Sequence, residues 1–455
     1  METIKKFQVD IKGLSDKEKL VLEKLIKASE LLVPLYERQK NSAYPGANFY
    51  PVGVSKEEIE KAAQKNPLLL HPYTFVEKDK RGRLKAVPFC LKFKRELREI
   101  AKLIGEAAKI SEDKEFSRYL VESARALLKN DYAKNEILWV TKGPFKFNFI
   151  IGPIERYLDR LFFKKCAYQA WVGVLDRRKT EEAERFKKII LASRRKILPD
   201  TIKIELPKMR TEINQTLCFS GLIADNMFTG TNLPNDVNLM KEYGSKLIIF
   251  ATSLELRFKQ DQLPIFNSVF TQKIKESYSP KELYDGSLRC ILLHEIAHSL
   301  IRYEDAEERL RELFPVFDEI LAYVLGVRAC GSLLLKGVIT QKELEAILVM
   351  HICRHFNWWL DFIKNPDVQD YAIGAAIAQN FFLREGAIRE KEGILSLDFT
   401  KLFISIDHLS RILEYHLASV TYEEAKKFVD EYGSFDVFEP FASRLKGFKV
   451  FEQNS

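Results

Sequence analysis

The chain reads as an α+β protein that is predominantly α-helical, and three observations predict this class. Apolar alternation of the strand kind is confined to the first part of the chain. Helical periodicity opened by capping boxes recurs along its length. After about residue 255 the pattern is almost wholly helical. The expected division is a mixed α/β part over residues 1–255 and a helical part over 256–455, with a cleft between them.

Ser15-Asp16-Lys17-Glu18 is a capping box, and the amphipathic pattern behind it predicts a helix to about Gln39. Ser55-Lys56-Glu57-Glu58 repeats the device. Between Tyr73 and Phe93 apolar residues alternate around Lys80-Arg81-Gly82-Arg83, the signature of a β-hairpin, and a helical stretch follows from Arg95 to Leu128. Strand signals return at Phe145–Phe149, Ala167–Val174 and Lys246–Phe250. Leu288, Ile291, Leu292 and Ile296 are spaced for a half-buried helix, with Asp285 or Ser287 as its N-cap. The apolar stretch Leu313–Gly326 predicts the next helix, with Pro315 in its first turn. A last capping box, Thr421-Tyr422-Glu423-Glu424, opens a helix before a short irregular tail. Gly143-Pro144 and Gly152-Pro153 are turn signals rather than phosphate-binding loops.

Composition narrows the function classes. With 46% hydrophobic and 30% charged residues the chain is an ordinary globular protein. Its net charge of +8 is spread by interleaved acids and bases, which serves solubility. The densest basic runs, Lys78–Arg83 and Arg185–Lys196, read as a turn and a helix face, so no nucleic-acid partner is expected. No apolar run reaches the length of a membrane span, and no secretory h-region follows the N-terminus. The expectation is a cytoplasmic protein, monomeric by default. Six cysteines without a CxxC pair fit a reducing compartment.

The chemistry concentrates in His294-Glu295-Ile296-Ala297-His298. HExxH on a helix sets two imidazoles one turn apart with a carboxylate beside them, the skeleton of a zinc-hydrolase site in which the glutamate acts as general base. Such a site needs a third protein ligand. The helix predicted after it is almost wholly apolar apart from Asp318 and Glu319, and a carboxylate in that setting needs a partner. Glu319 is the expected third ligand to one Zn2+ ion, with Asp318 the alternative. Cys290, one turn before His294, reads as a small core residue. His351 and His355 share the helical spacing but lack the adjacent glutamate and read as structural. The acids of Tyr303–Glu312 read as a solvated face and are weaker ligand candidates.

Four segments, in order, resemble the dipeptidyl peptidase III family of zinc metallopeptidases. Ile151-Gly152-Pro153-Ile154-Glu155-Arg156-Tyr157 is similar to its IGxIExY strand, and Asn232-Leu233-Pro234-Asn235 to its NxPN element. His294–His298 occupies the position of its zinc helix, and Asp318–Tyr323 is similar to its EExxAE-type helix, whose second acid, here Glu319, is the zinc ligand. The resemblance implies two lobes, a mainly helical zinc lobe and a mixed lobe with a small barrel-like sheet, and a peptide substrate lying as an added strand. It further implies that Glu155, Asn232 and Asn235 hold the peptide's amino terminus and that Tyr157 donates to the oxyanion, with Tyr371 as a second hydroxyl. Glu155 and Tyr157 stand at i and i+2, hence on one face of a strand.

This chain departs from the family's pattern at several points. It has HExxH where the best-known members have HExxxH; Tyr323 replaces the acid expected to orient a ligand histidine; Tyr371 stands where a histidine is usual, and Ala375 where an arginine is. Two other functions therefore compete with peptide hydrolysis. One is a peptide-binding protein with weak or lost catalysis, and the other a zinc hydrolase of a non-peptide amide.

Overall fold

The structure is a computed structural model that describes residues 3–197, 208–298, 300–301, 303, 305–365 and 368–446. Glu304 and the terminal tail from residue 447 lie outside these, as do the side chains of Arg194, Arg195 and Lys196. The chain divides into two compact units, one of Met1–Thr180 with Lys208–Ser253, the other of the described parts of Glu181–Pro207 with Leu254–Ser455. Among the described residues no helix is long and apolar enough to cross a membrane.

The first unit begins with strand β1 (Ile4–Lys6) and helix α1 (Asp16–Gln39), whose Ser15 capping box is formed as the sequence predicts. The predicted hairpin is β2 (Thr74–Lys78) and β3 (Leu84–Pro88), in register from Thr74 opposite Pro88 to Lys78 opposite Leu84. The single helix expected from Arg95 to Leu128 is two, α2 (Lys94–Ile110) and α3 (Lys114–Lys129). The break is local chemistry: Asp113 caps α3 by accepting from the backbone N–H groups of Glu115 and Phe116 at 3.0 Å each. Helix α4 (Ala133–Thr141) leads into the main sheet.

That sheet comprises β4 (Phe147–Glu155), β5 (Ala167–Leu175), β6 (Met209–Gly221), β7 (Gly230–Leu233) and β8 (Ser245–Phe250), in the order β4-β5-β6-β8-β7, with β1 also on β6. Strand β6 is long enough for one edge to serve two partners. Met209–Asn214 pairs in parallel with β8, and Cys218–Ser220 pairs antiparallel with β1. Among the described strands β4 and β7 each have one neighbour, so the expected barrel-like sheet is a curled half-barrel that does not close. Strand β4 extends well past the predicted Phe145–Phe149, because Phe149, Ile150 and Ile151 are all buried and alternation ends there. Its interior also holds an ion pair, Lys246 to Glu212 at 2.7 Å. Glu212 accepts from Asn148 at 2.6 Å, and Asn148 accepts from the Trp171 indole at 2.6 Å. Within this network Lys246, Glu212, Asn148 and Trp171 each have a partner, without which their burial would be costly.

Helix α5 (Arg177–Ile197) starts in the first unit and ends in the second. The second unit is built on α6 (Pro280–His298), α7 (Phe314–Leu335), α8 (Gln341–Lys364) and α9 (Gln369–Arg384). A hairpin absent from the sequence reading follows, β9 (Ile388–Lys391) and β10 (Ile394–Leu397), before α10 (Phe399–Ser419) and α11 (Tyr422–Tyr432). Four-residue strands are too short to leave a clear period. Helix α6 starts earlier than the sequence predicts. Its cap is Ser279, whose hydroxyl accepts from the Glu282 N–H at 3.3 Å while the Glu282 carboxylate accepts from the Ser279 N–H at 2.8 Å. Asp285 and Ser287 lie inside the helix.

Two glycines let the helices of this unit touch backbone to backbone. A Cβ on Gly326 would stand 2.8 Å from the Leu293 carbonyl carbon and oxygen and 3.0 Å from the His294 nitrogen. A Cβ on Gly286 would stand 2.8 Å from the Ala346 carbonyl oxygen. Main-chain atoms cannot swing aside as a flexible side chain can. Gly326→Ala is therefore expected to destabilise the fold by about 1–3 kcal/mol through overpacking, measured by chemical denaturation.

Candidate metal centre

The Gly326 contact draws α7 against the last turns of α6, so that the first turns of α7 face His294 and His298. The two imidazole Nε2 atoms lie 3.1 Å apart. The Glu319 Oε2 atom lies 3.6 Å from His294 Nε2 and 3.7 Å from His298 Nε2. The point equidistant from these three atoms in their plane is about 2 Å from each, the length of a zinc–ligand bond. Glu319 Oε2 is buried without a hydrogen-bond donor, as expected of an acceptor reserved for a cation. Among the described residues, these three form the one group of His, Cys, Asp and Glu side chains placed to hold a metal ion.

Neighbouring side chains hold the three donor groups. His298 Nδ1 lies 3.4 Å from Asp318 Oδ2, a second carboxylate on the same helix. The Tyr371 hydroxyl donates to Glu319 Oε1 at 3.1 Å. His294 is held differently. Its ring lies 3.9 Å from that of Tyr323, centroid to centroid, at 33°, and its buried Nδ1 has no hydrogen-bond partner. The tyrosine thus holds by ring contact a histidine that a carboxylate would have held by a hydrogen bond. Trp358 meets the Tyr323 ring edge-on at 4.3 Å, and the Arg354 guanidinium stands 5.7 Å over the ring. Ala375, fully buried in α9, supplies no cation.

Electrostatics divides the two histidines. Burial, with His298 and Arg354 nearby, holds His294 well below the usual imidazole range, so its ring is neutral and its lone pair free. For His298 burial acts in the same direction, but the Asp318 and Glu319 carboxylates outweigh it and push the group up to about 10. Burial raises the Glu295 carboxyl, and the Glu319 charge raises it further, against the opposing pull of His298 and Arg354. A carboxyl raised toward neutrality suits a general base.

Cys290 is buried with its thiol 3.2 Å from the Ile347 carbonyl, a core contact away from the metal ligands. His351 and His355 are wholly buried, and their ring nitrogens have no partners. Sequence reasoning placed Asp318 only as an alternative ligand, and did not single out Arg354. A lone cation inside the apolar run His351-Ile352-Cys353-Arg354-His355 was the available signal.

The expected substrate-binding residues all lie in the first unit. Glu155, at the end of β4, is buried; it accepts from Asn235 at 3.0 Å and from the Thr231 hydroxyl at 3.3 Å. Asn235 also donates to the Ile154 carbonyl at 3.2 Å. Asn232 sits exposed on β7, opposite Leu247 of β8. Tyr157 departs from the expected arrangement. Strand β4 has a bulge between Pro153 and Glu155 and ends at Glu155, so Tyr157 lies in the turn beyond it and does not share a strand face with Glu155. Its ring is 60% exposed and meets Phe228 edge-on at 5.8 Å.

Residues 75–296 match the model of Peptidase family M49. Over these residues the chain resembles the dipeptidyl peptidase III family. Its fold is similar to that of dipeptidyl peptidase III from Caldithrix abyssi, with a TM-score of 0.89 at 21% identity, covering 97% of this chain and 95% of that one. The dipeptidyl peptidase III of Corallococcus sp. strain EGB aligns with a TM-score of 0.77 at 22% identity, covering 98% and 94%. Among curated proteins the chain is 21% identical over 408 residues to Nudix hydrolase 3 of Arabidopsis thaliana. That match takes in 80% of this chain and 51% of the plant protein, so the chain spans about half the length of the curated relative it matches. The family match ends two residues before His298 and stops short of Glu319.

Burial raises the Glu155 carboxyl, while the donors Asn235 and Thr231 and the charge of Arg156 pull it down. Asn235→Ala removes one donor to the ionised form, so the carboxyl is expected to rise further and to protonate earlier as pH falls. A carbon-13 NMR titration of the Glu155 carboxyl checks this; an unchanged or lowered midpoint would contradict it.

Proposed function

We propose that the protein is a zinc-dependent metallopeptidase that hydrolyses short peptides from the amino terminus, with one zinc ion held by His294, His298 and Glu319. The observation that carries this reading is the convergence of three donor atoms from two helices beside the Glu295 carboxylate. The chemistry of the donor set, two imidazoles and a carboxylate, suits zinc. Bound there, zinc would supply the Lewis acidity that makes water nucleophilic and polarises a peptide carbonyl.

The chain's own residues do the rest. Glu295 takes the proton of the attacking water on its carboxylate and passes it to the leaving amine. Asp318 holds the Nδ1 proton of His298, fixing which nitrogen faces the site. Tyr371, expected as a second oxyanion donor, acts as a positioning residue, because its hydroxyl is engaged by Glu319. Glu155, steadied by Asn235 and Thr231, receives the ammonium of the peptide, and Asn232 bonds the first residues from β7. That strand has one paired edge among the described strands, so an extended peptide could add along the other. Tyr157, exposed on its turn, donates to the oxyanion.

A second reading, a peptide-binding protein with weak catalysis, is favoured by the buried Ala375 and by the engagement of Tyr371. Turnover of an unbiased peptide library by zinc-loaded protein separates the two. Wild type is expected to release amino-terminal fragments, and Glu295→Gln to keep its metal while losing roughly 10²–10⁴-fold in turnover. Metal retention with no peptide cleavage by wild type would overturn the peptidase reading. Asp318→Asn is expected to weaken zinc affinity by about 10–100-fold, read by competition with a chelator.

A further inference from the structure

The first unit contains a cavity of about 560 Å³ that the proposed chemistry does not use. Its walls include Tyr73, Tyr132 and Trp139, with Glu136, Asp236 and Asp131 as acids, the last paired with Arg125 at 2.9 Å, Arg156 as the guanidinium and His71 as the imidazole. Glu155 and Tyr157, the neighbours of Arg156 in sequence, do not line it. Arg156 therefore turns toward the cavity from between two residues that do not.

The charges in this cavity are unequally satisfied. Asp236 is occupied in capping, accepting from the backbone N–H groups of Asn238 at 2.8 Å and Leu239 at 3.1 Å. Among the described residues, no hydrogen bond or ion pair of the Glu136 carboxylate is found, although the residue is largely enclosed. Burial and the Asp236 charge push its carboxyl up to about 7, against the opposing influence of Arg156. The Arg156 Nε is buried without a partner. The Cys166 thiol is a polar neighbour of the guanidinium, and among the described residues no carboxylate forms an ion pair with it. Glu136 and Arg156 thus line one cavity without an ion pair between them among the described residues. Half-buried ionisable groups of this kind call for a complementary group.

We propose that this cavity binds a zwitterionic amino acid or dipeptide, its ammonium at Glu136, its carboxylate at Arg156 and its side chains against Tyr73, Tyr132 and Trp139. A guanidinium presents paired donors to a carboxylate, and aromatic walls suit both an apolar side chain and an ammonium. A plain cation would leave Arg156 unmatched, and a plain anion would leave Glu136 so. The site is separate from the peptide-holding residues and does not depend on the proposed peptidase reading. Asn235 alone touches both, lining the cavity while donating to Glu155.

Isothermal titration of the full zinc-loaded chain tests this, using L-leucine and L-leucyl-L-leucine as probes with N-acetyl-L-leucine and L-leucinamide as single-charge controls. At least one zwitterion is expected to bind saturably, and both controls at least about tenfold more weakly. Glu136→Gln and Arg156→Gln are each expected to weaken the zwitterion at least about tenfold, with unfolding curves confirming that both variants are folded. Glu155→Gln is expected to leave this binding in place. Absence of saturable binding by either zwitterion, binding indifferent to Glu136→Gln and Arg156→Gln, or binding lost in Glu155→Gln would each overturn the assignment. The last result would locate the ligand among the peptide-holding residues instead.

Discussion

The contact on which the candidate centre depends is the backbone approach of α7 to α6 at Gly326. Nothing larger than hydrogen fits between that residue and the main chain of Leu293 and His294. Because the helices touch there, the Glu319 carboxylate, two turns nearer the start of α7, comes within 3.7 Å of both imidazoles. A wider crossing would separate the donor atoms, and the acid in an otherwise apolar helix would lose its reason to be there. Packing and chemistry are therefore one constraint in this unit.

The pocket around the ligands combines two ways of holding an imidazole. His298 is held through a carboxylate, which fixes its orientation and draws positive charge to it. His294 is held through the Tyr323 ring, which fixes its plane but leaves Nδ1 without an acceptor. The first arrangement makes a histidine a stronger base, and the second leaves it a weaker one. Tyr323 and Asp318 therefore hold the two imidazoles of the candidate centre unequally.

Much of the fold was legible because its signals are local. Capping boxes at Ser15, Ser55 and Thr421 are satisfied within four residues of chain, and all three are formed. The Lys80-Arg81-Gly82-Arg83 turn carries its own geometry, with Gly82 at φ +76°. Misreadings occur where local signals compete or fade. Asp113 ends one helix and begins another inside a run that is helical on both sides, and the true cap of α6, Ser279, stands before a proline outside the apolar period. Strand β4 loses its alternation where both faces are buried, and the bulge near Pro153 shifts its end so that Tyr157 falls in a turn.

The sequence by itself determined which types of donor side chain the candidate centre offers. HExxH spacing follows from the pitch of a helix, and a lone pair of acids in an apolar helix demands a partner whatever the fold. It put Glu319 first and kept Asp318 as the alternative; adjacent residues differ by a rotation of about 100° around the helix axis, and only the neighbouring helix says which direction is inward. Tertiary structure brings Glu319 to both imidazoles, Asp318 to the far side of one, and the Tyr371 hydroxyl onto the Glu319 carboxylate. It also turned Arg156 away from Glu155 and into a cavity with Glu136, a meeting of residues distant in the chain that no local pattern encodes. Helical pitch and side-chain chemistry are properties of a short segment, whereas the sharing of a space by two charges depends on how the whole unit closes around it.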